Sequence, residues 1–151
     1  MTGHFGLTFA TEITAAIGEP TLVGPVTGGL RAVVPIVGGT LAGPMLNGEI
    51  VPGGADWALL QPDGTAYVDA RYIIRLADGG LICIRNTGLC RPAAGSQTVF
   101  TGHSQPKFEA PAGPHDWLNG AVFTCVFRSD LTEGVVRLRL YLMEGDGSAP
   151  N

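Results

Sequence analysis

Thr65–Leu76 reads TAYVDARYIIRL. Val68, Ala70, Tyr72, Ile74 and Leu76 fall on one side of an extended chain. Tyr67, Asp69, Arg71, Ile73 and Arg75 fall on the other. This is the clearest two-residue alternation in the sequence and predicts a strand with one apolar face. Pro62-Asp63-Gly64 precedes it, with proline presetting φ and glycine supplying φ > 0, the chemistry of a turn. Ala77-Asp78-Gly79-Gly80 follows it, and Asp-Gly is a hairpin signal. Leu81–Asn86 is then expected to return antiparallel.

Outward from this hairpin the same pattern repeats. His4–Ala16, Leu30–Val37, Leu46–Val51, Ala58–Gln61, Ala121–Arg128 and Val135–Met143 read as strands. Leu30–Val37 is apolar on both faces except at Arg31, as in a strand covered on both sides, and its outer face is a candidate surface for a homodimer or higher homo-oligomer. Pro52-Gly53-Gly54-Ala55 reads as a turn presenting Asp56 and Trp57. Thr87–Pro114 is rich in glycine and proline and reads as a long loop region containing short strands. No stretch keeps a 3.6-residue period. Ten or so short strands separated by turn signals predict an antiparallel sandwich or barrel, and closure into a barrel removes exposed edges. A single domain is expected over residues 1–144, with a disordered tail from Gly145 to Asn151.

Composition narrows the function classes. The 151 residues carry a formal net charge of −4 and only 15% charged residues, against about 25% in a typical globular chain. Lysine occurs once, at Lys107, and no cationic run exists, which disfavours nucleic acid as a partner. No apolar run approaches the length of a membrane span. The N-terminus lacks a basic segment followed by an apolar block, so a cytoplasmic protein is expected. Cys83, Cys90 and Cys125 form no zinc-binding spacing and read as buried, reduced thiols. His4, His103 and His115 make no metal motif. No cofactor motif is present: glycine-rich segments lie between strands rather than before helices.

Five short motifs in order, GGT at Gly38–Thr40, GGADW at Gly53–Trp57, DARY at Asp69–Tyr72, ADGG at Ala77–Gly80 and WLN at Trp117–Asn119, carry a resemblance to the domain of unknown function 3237 family. The resemblance spans Leu30 to the final strand. It implies a single antiparallel β-barrel of calycin-like type and assigns no general activity. Phe108-Glu109 matches a family position, whereas Ala110 and His115 stand where a threonine and a tyrosine are expected.

The candidate chemistry lies with ionisable residues set among apolar ones. Asp69 and Arg71 share a strand face. If that face is interior, Arg71 is positioned to hold developing negative charge, oriented by Asp69; if exterior, they form an ordinary surface pair. Asp56 beside Trp57 in a closed pocket would have a raised pKa suited to acid or base work, or else it caps a turn. Glu109 invites the same reading. Trp57, Tyr72, Phe108 and Trp117 are candidates for lining a pocket, Asn119 for a hydrogen bond to a ligand, and His103 and His115 for the mouth. The functional expectation is a cofactor-independent enzyme of isomerase, dehydratase, cyclase or lyase type. It would act on a small hydrophobic or aromatic molecule by proton transfer. A non-catalytic binding protein for such a molecule is the alternative.

Overall fold

The computed structural model describes residues 5–145. His4 and residues 146–151 of the expected tail lie outside the described residues, and Gly145, expected to open that tail, is instead the last residue of the final strand. Nine strands follow one another: β1 (Phe5–Ile17), β2 (Thr21–Val26), β3 (Gly29–Ala42), β4 (Gly48–Leu60), β5 (Ala66–Leu76), β6 (Leu81–Pro92), β7 (Val99–Glu109), β8 (Phe123–Asp130) and β9 (Val135–Gly145). A 3-10 turn, Asp116–Gly120, sits between β7 and β8. Every pairing is antiparallel. The sheet runs β1-β9-β8-β7-β6-β5-β4-β3, and β1 pairs with β3 to close an eight-stranded barrel. The second strand lies outside the closed ring, paired to the first half of β3 from Thr21–Val33 to Val26–Gly29.

The fold class is the expected one, but the strands are fewer and longer. Glycine and proline positions that read as strand ends lie inside strands. Gly53 has φ of +121° within β4, where the register with β5 shifts between Val51 and Ala55. The segment Pro52–Gly54 is therefore a bulge, not the expected turn. Bulges bend a strand and increase its twist, which is what closing a barrel requires. The region around 87–114 is more regular than its composition implies, because β6 and β7 pair continuously from Cys83–Glu109 to Pro92–Phe100. Pro106 is accommodated because β8 pairs with β7 only from Val99 to Ser104, leaving an open edge beyond. The outward residues of Leu30–Val37 are mixed: Val33 and Pro35 are half-buried and Val37 is exposed. Cys90 and Cys125 are buried as expected, but Cys83 points outward and is exposed.

The two ends of the barrel differ. One is packed solid by Leu46, Ile74, Ile82, Phe108 and Phe123, with Leu118 of the 3-10 turn as the plug, 1% exposed. The plug is latched to the end of β7. Asn119 Oδ1 accepts the Ala110 N–H at 2.7 Å, and its Nδ2 donates to the Ala110 carbonyl at 2.9 Å. Leu118→Ala would leave a void where eight strands converge, and is expected to cost about 2–5 kcal/mol. The midpoint of urea unfolding checks this; an unchanged midpoint would mean that the turn is not part of the core. The other end of the barrel is open.

Candidate functional site

The open end leads into a cavity of about 280 Å³. Its wall is mostly small and aliphatic: Ala32 and Val34 from β3, Ala58 from β4, Ala66 and Ala70 from β5, Leu138 from β9. Short side chains at inward positions are what leave room for a cavity in an eight-stranded barrel. Ile17, Pro20 and Leu131 border its mouth, close to the turns that end β1 and β8.

Polar side chains enter this apolar chamber from one side. Asp56 on β4 and Asn86 on β6 both oppose Ala70 on β5, one from each flank. Tyr72, two residues further along β5, points inward beside them and is 6% exposed. Its placement depends on the bulge before Asp56. A side chain on Gly54 would put its Cβ 2.5 Å from the Cβ of Tyr72, so only glycine leaves the ring its place. A carboxyl, a phenol and an amide thus converge from three neighbouring strands.

Burial pushes the pKa of Asp56 from 3.8 up to about 6. The backbone N–H of Asp69 donates to Asp56 Oδ1 at 2.8 Å and partly offsets this, while the negative charge of Asp69 adds to the rise. A carboxyl poised near 6 exchanges protons readily at neutral pH. Burial raises the phenol of Tyr72 well above its ordinary value, so it remains a hydroxyl donor. The thiols of Cys90 and Cys125 are each pushed up to about 11 by burial and stay protonated, which removes them as nucleophiles.

Other residues singled out in the sequence lie elsewhere. Arg71 is on the outer wall, and so is Asp69, whose carboxylate takes a bidentate pair of hydrogen bonds from Arg85 at 3.1 Å each. On this strand Val68, Ala70, Tyr72, Ile74 and Leu76 face inward, in keeping with its alternation. Arg71 therefore does not reach the cavity; with Phe108, Glu109, Arg85 and Lys107 it borders a separate depression on the outer wall. Trp57 is outward and 54% exposed, its carbonyl accepting from Arg31 at 2.8 Å. Glu109 and His103 are exposed on the outer face of β7. Phe108, Trp117 and Asn119 belong to the plugged end: Phe108 packs edge-on against Phe123 at 5.1 Å, and Trp117 lies 6.3 Å from the same ring. His115 meets Asp78 at 2.6 Å at that end too. Only Asp56 and Tyr72 of the expected set face the cavity. Arg71→Leu is accordingly expected to leave ligand affinity and any turnover within about twofold, as for an exposed ion pair. A loss beyond tenfold would return the site to the outer wall.

Asn86 and Ser104 were missed. Alternation could have found Asn86, since Ile82, Ile84, Asn86, Gly88 and Cys90 share a face. Ending the strand at Asn86 hid that parity. Among the described residues no group of three or more His, Cys, Asp or Glu side chains is placed to hold a metal ion. No helix among them is long and apolar enough to cross a membrane.

The model of the family described as protein of unknown function (DUF3237) matches residues 5–143. The chain belongs to this family. Among DUF3237 relatives, a UPF0311 protein of Clostridium acetobutylicum is 33% identical over 148 residues, covering 91% of this chain and 89% of its own. The crystal structure of a β-barrel like protein from Acinetobacter baumannii superimposes with a TM-score of 0.83 at 24% identity, covering 93% of this chain and 97% of the other. That of an enzyme from Penicillium herquei superimposes with a TM-score of 0.70 at 21% identity, over 95% and 96% of the two chains. At these identities the two structures share the fold with the DUF3237 chain described above.

Proposed function

We propose that this DUF3237 protein is a cofactor-independent enzyme that moves a proton on a small hydrophobic molecule held in the barrel, an isomerase- or lyase-type reaction. The observation that carries the reading is Asp56: a carboxyl desolvated in an apolar cavity, with a pKa near 6, beside the buried hydroxyl of Tyr72. As a carboxylate it takes a proton from a carbon next to a ligand carbonyl. The C–H bond breaks, an O–H bond forms on Asp56, and the electron pair moves to the carbonyl oxygen. The Tyr72 hydroxyl is within a cross-strand diagonal of that point, roughly 7–8 Å between backbones and within an aromatic side chain's reach. It donates to the developing oxyanion. Asp56 then returns its proton to another carbon of the same molecule, which is isomerisation. Alternatively the enolate re-forms its carbonyl as the bond to a β-substituent breaks, and the departing group takes the proton from Asp56, which is lyase chemistry. That one barrel of this shape is described as an enzyme, the Penicillium herquei protein, is in keeping with this reading.

The test is solvent exchange. A panel of aromatic and polyketide-like ketones is incubated with the protein in D2O, and deuterium at carbon is followed by mass spectrometry. Uptake is expected with the wild type and not with Asp56→Asn. Tight binding without deuterium uptake or product across the panel would replace catalysis with the carrier reading.

A further inference from the structure

Three buried polar atoms, Tyr72 Oη, Asn86 Oδ1 and Ser104 Oγ, make no well-formed hydrogen bond among the described residues, with only the Cys125 thiol lying against Asn86 and Ser104. Their residues are 6%, 3% and 3% exposed. A buried polar group left unpaired is destabilising, and folded proteins retain few. These three are also neighbours. Asn86 opposes Ala70 on one side and Pro106 on the other, so Tyr72 and Ser104 lie on its two diagonals. Cys125 opposes Ser104 and completes the patch. Tyr72 and Asn86 line the cavity and Ser104 does not; the oxygens sit just beneath the cavity surface, so a ligand hydroxyl reaches them through a small movement of the Tyr72 and Asn86 side chains.

We infer that this patch receives a hydroxyl group on a neutral ligand about two fused rings in size, so that the pocket selects hydroxyarenes and enols over the parent hydrocarbon and over carboxylates. A hydroxyl both donates and accepts, so it satisfies Tyr72 and the Asn86 amide whichever way round that amide lies. A carboxylate is excluded by charge. No Lys or Arg lines the cavity, whereas Asp56 does, so a second anion would be unpaired in an apolar chamber. Size follows from volume: the 280 Å³ available is roughly twice the ~150 Å³ that takes up a benzene ring. The inference rests on the cavity being the working site proposed above. It does not require Asp56 to move a proton.

The probes are 2-naphthol, naphthalene and 2-naphthoate, compared at pH 7 through their own fluorescence. The naphthol is expected to bind at least about tenfold more tightly than naphthalene, and the naphthoate more weakly than either. Asn86→Leu and Tyr72→Phe should each bring naphthol to within about threefold of naphthalene, read as the ratio of the two affinities in the same variant. Ligand-free Asn86→Leu should melt at or above the wild-type temperature, because an unpartnered polar group has gone. If that variant fails to fold, Tyr72→Phe carries the test alone. Equal affinity for naphthol and naphthalene, a ratio that survives both substitutions, or no binding of any probe overturns the inference. A naphthol preference without deuterium exchange would sink only the catalytic reading. Asp56-dependent exchange without the preference would sink only this one.

Discussion

Asp56→Asn is expected to abolish proton transfer and, above pH 7, to make the protein more stable. The loss of rate should be about 10²- to 10⁴-fold, the usual contribution of a positioned acid or base. The gain in stability follows from linkage. The folded-state pKa of Asp56, about 6, lies above its ordinary 3.8. Below 3.8 both folded and unfolded chains hold the proton, and the group has no effect. As pH rises from 3.8 to 6 the unfolded chain ionises first, and folded stability falls. Above about 6 the penalty is complete, on the order of 3 kcal/mol. Asparagine carries no charge to desolvate, and its Oδ1 still accepts the Asp69 N–H. The variant should therefore melt several degrees above the wild type at pH 8 and within error of it at pH 3. The same ionisation governs rate: if proton abstraction limits turnover, kcat/KM climbs to a plateau as pH passes about 6. A variant that is destabilised at pH 8 would mean that Asp56 is a structural cap, not a strained acid.

Ala70→Phe is expected to empty the site of function without emptying the fold of stability. Ala70 stands between Asp56 and Asn86 on the cavity wall. A benzyl group there projects into the 280 Å³ space and occupies the ground in front of both. Ligand affinity and turnover should fall at least about 100-fold, as the ring fills the volume that the first ring of a ligand needs. Filling a cavity commonly stabilises by about 0.5–2 kcal/mol, so the melting temperature should hold or rise. Ala58→Leu, from the neighbouring strand, is the milder companion should phenylalanine overpack the wall. Ligand binding at wild-type strength in both variants would show that the chamber is not the binding site.

Much of the fold was legible because a two-residue period survives in the sequence. Thr65–Leu76 alternates cleanly, and its turns at Asp63-Gly64 and Asp78-Gly79 fall where the chemistry of positive φ requires them, at Gly64 and Gly79. The interior of a long bent strand was not legible. A bulge and a turn ask for the same residues, so Pro52-Gly53-Gly54 read as an end when it is a bend. The site was legible in part. Asp56 stands out as a carboxylate among apolar neighbours. Which face of β5 points inward was signalled by its charges: Asp69, Arg71 and Arg75 share one face, opposite the apolar Val68–Leu76 set, and that charged face is the outer one. Of the four aromatic candidates only Tyr72 lines the cavity. Phe108 and Trp117 are apolar anchors of the plugged end, and a core aromatic has the same local pattern as a pocket aromatic. Asn86 shows the converse: a polar residue at an inward parity is a strong sign of a site, but only once the strand is known to continue through it.

Proton transfer in this cavity depends on the protonation of one side chain. The 13Cγ resonance of Asp56 in selectively labelled protein, followed from pH 3 to pH 9, reports it directly. The midpoint is expected near 6, rising further when a neutral aromatic ligand fills the cavity and displaces water from the carboxyl. A midpoint at the ordinary 3.8, unmoved by any ligand, would contradict it.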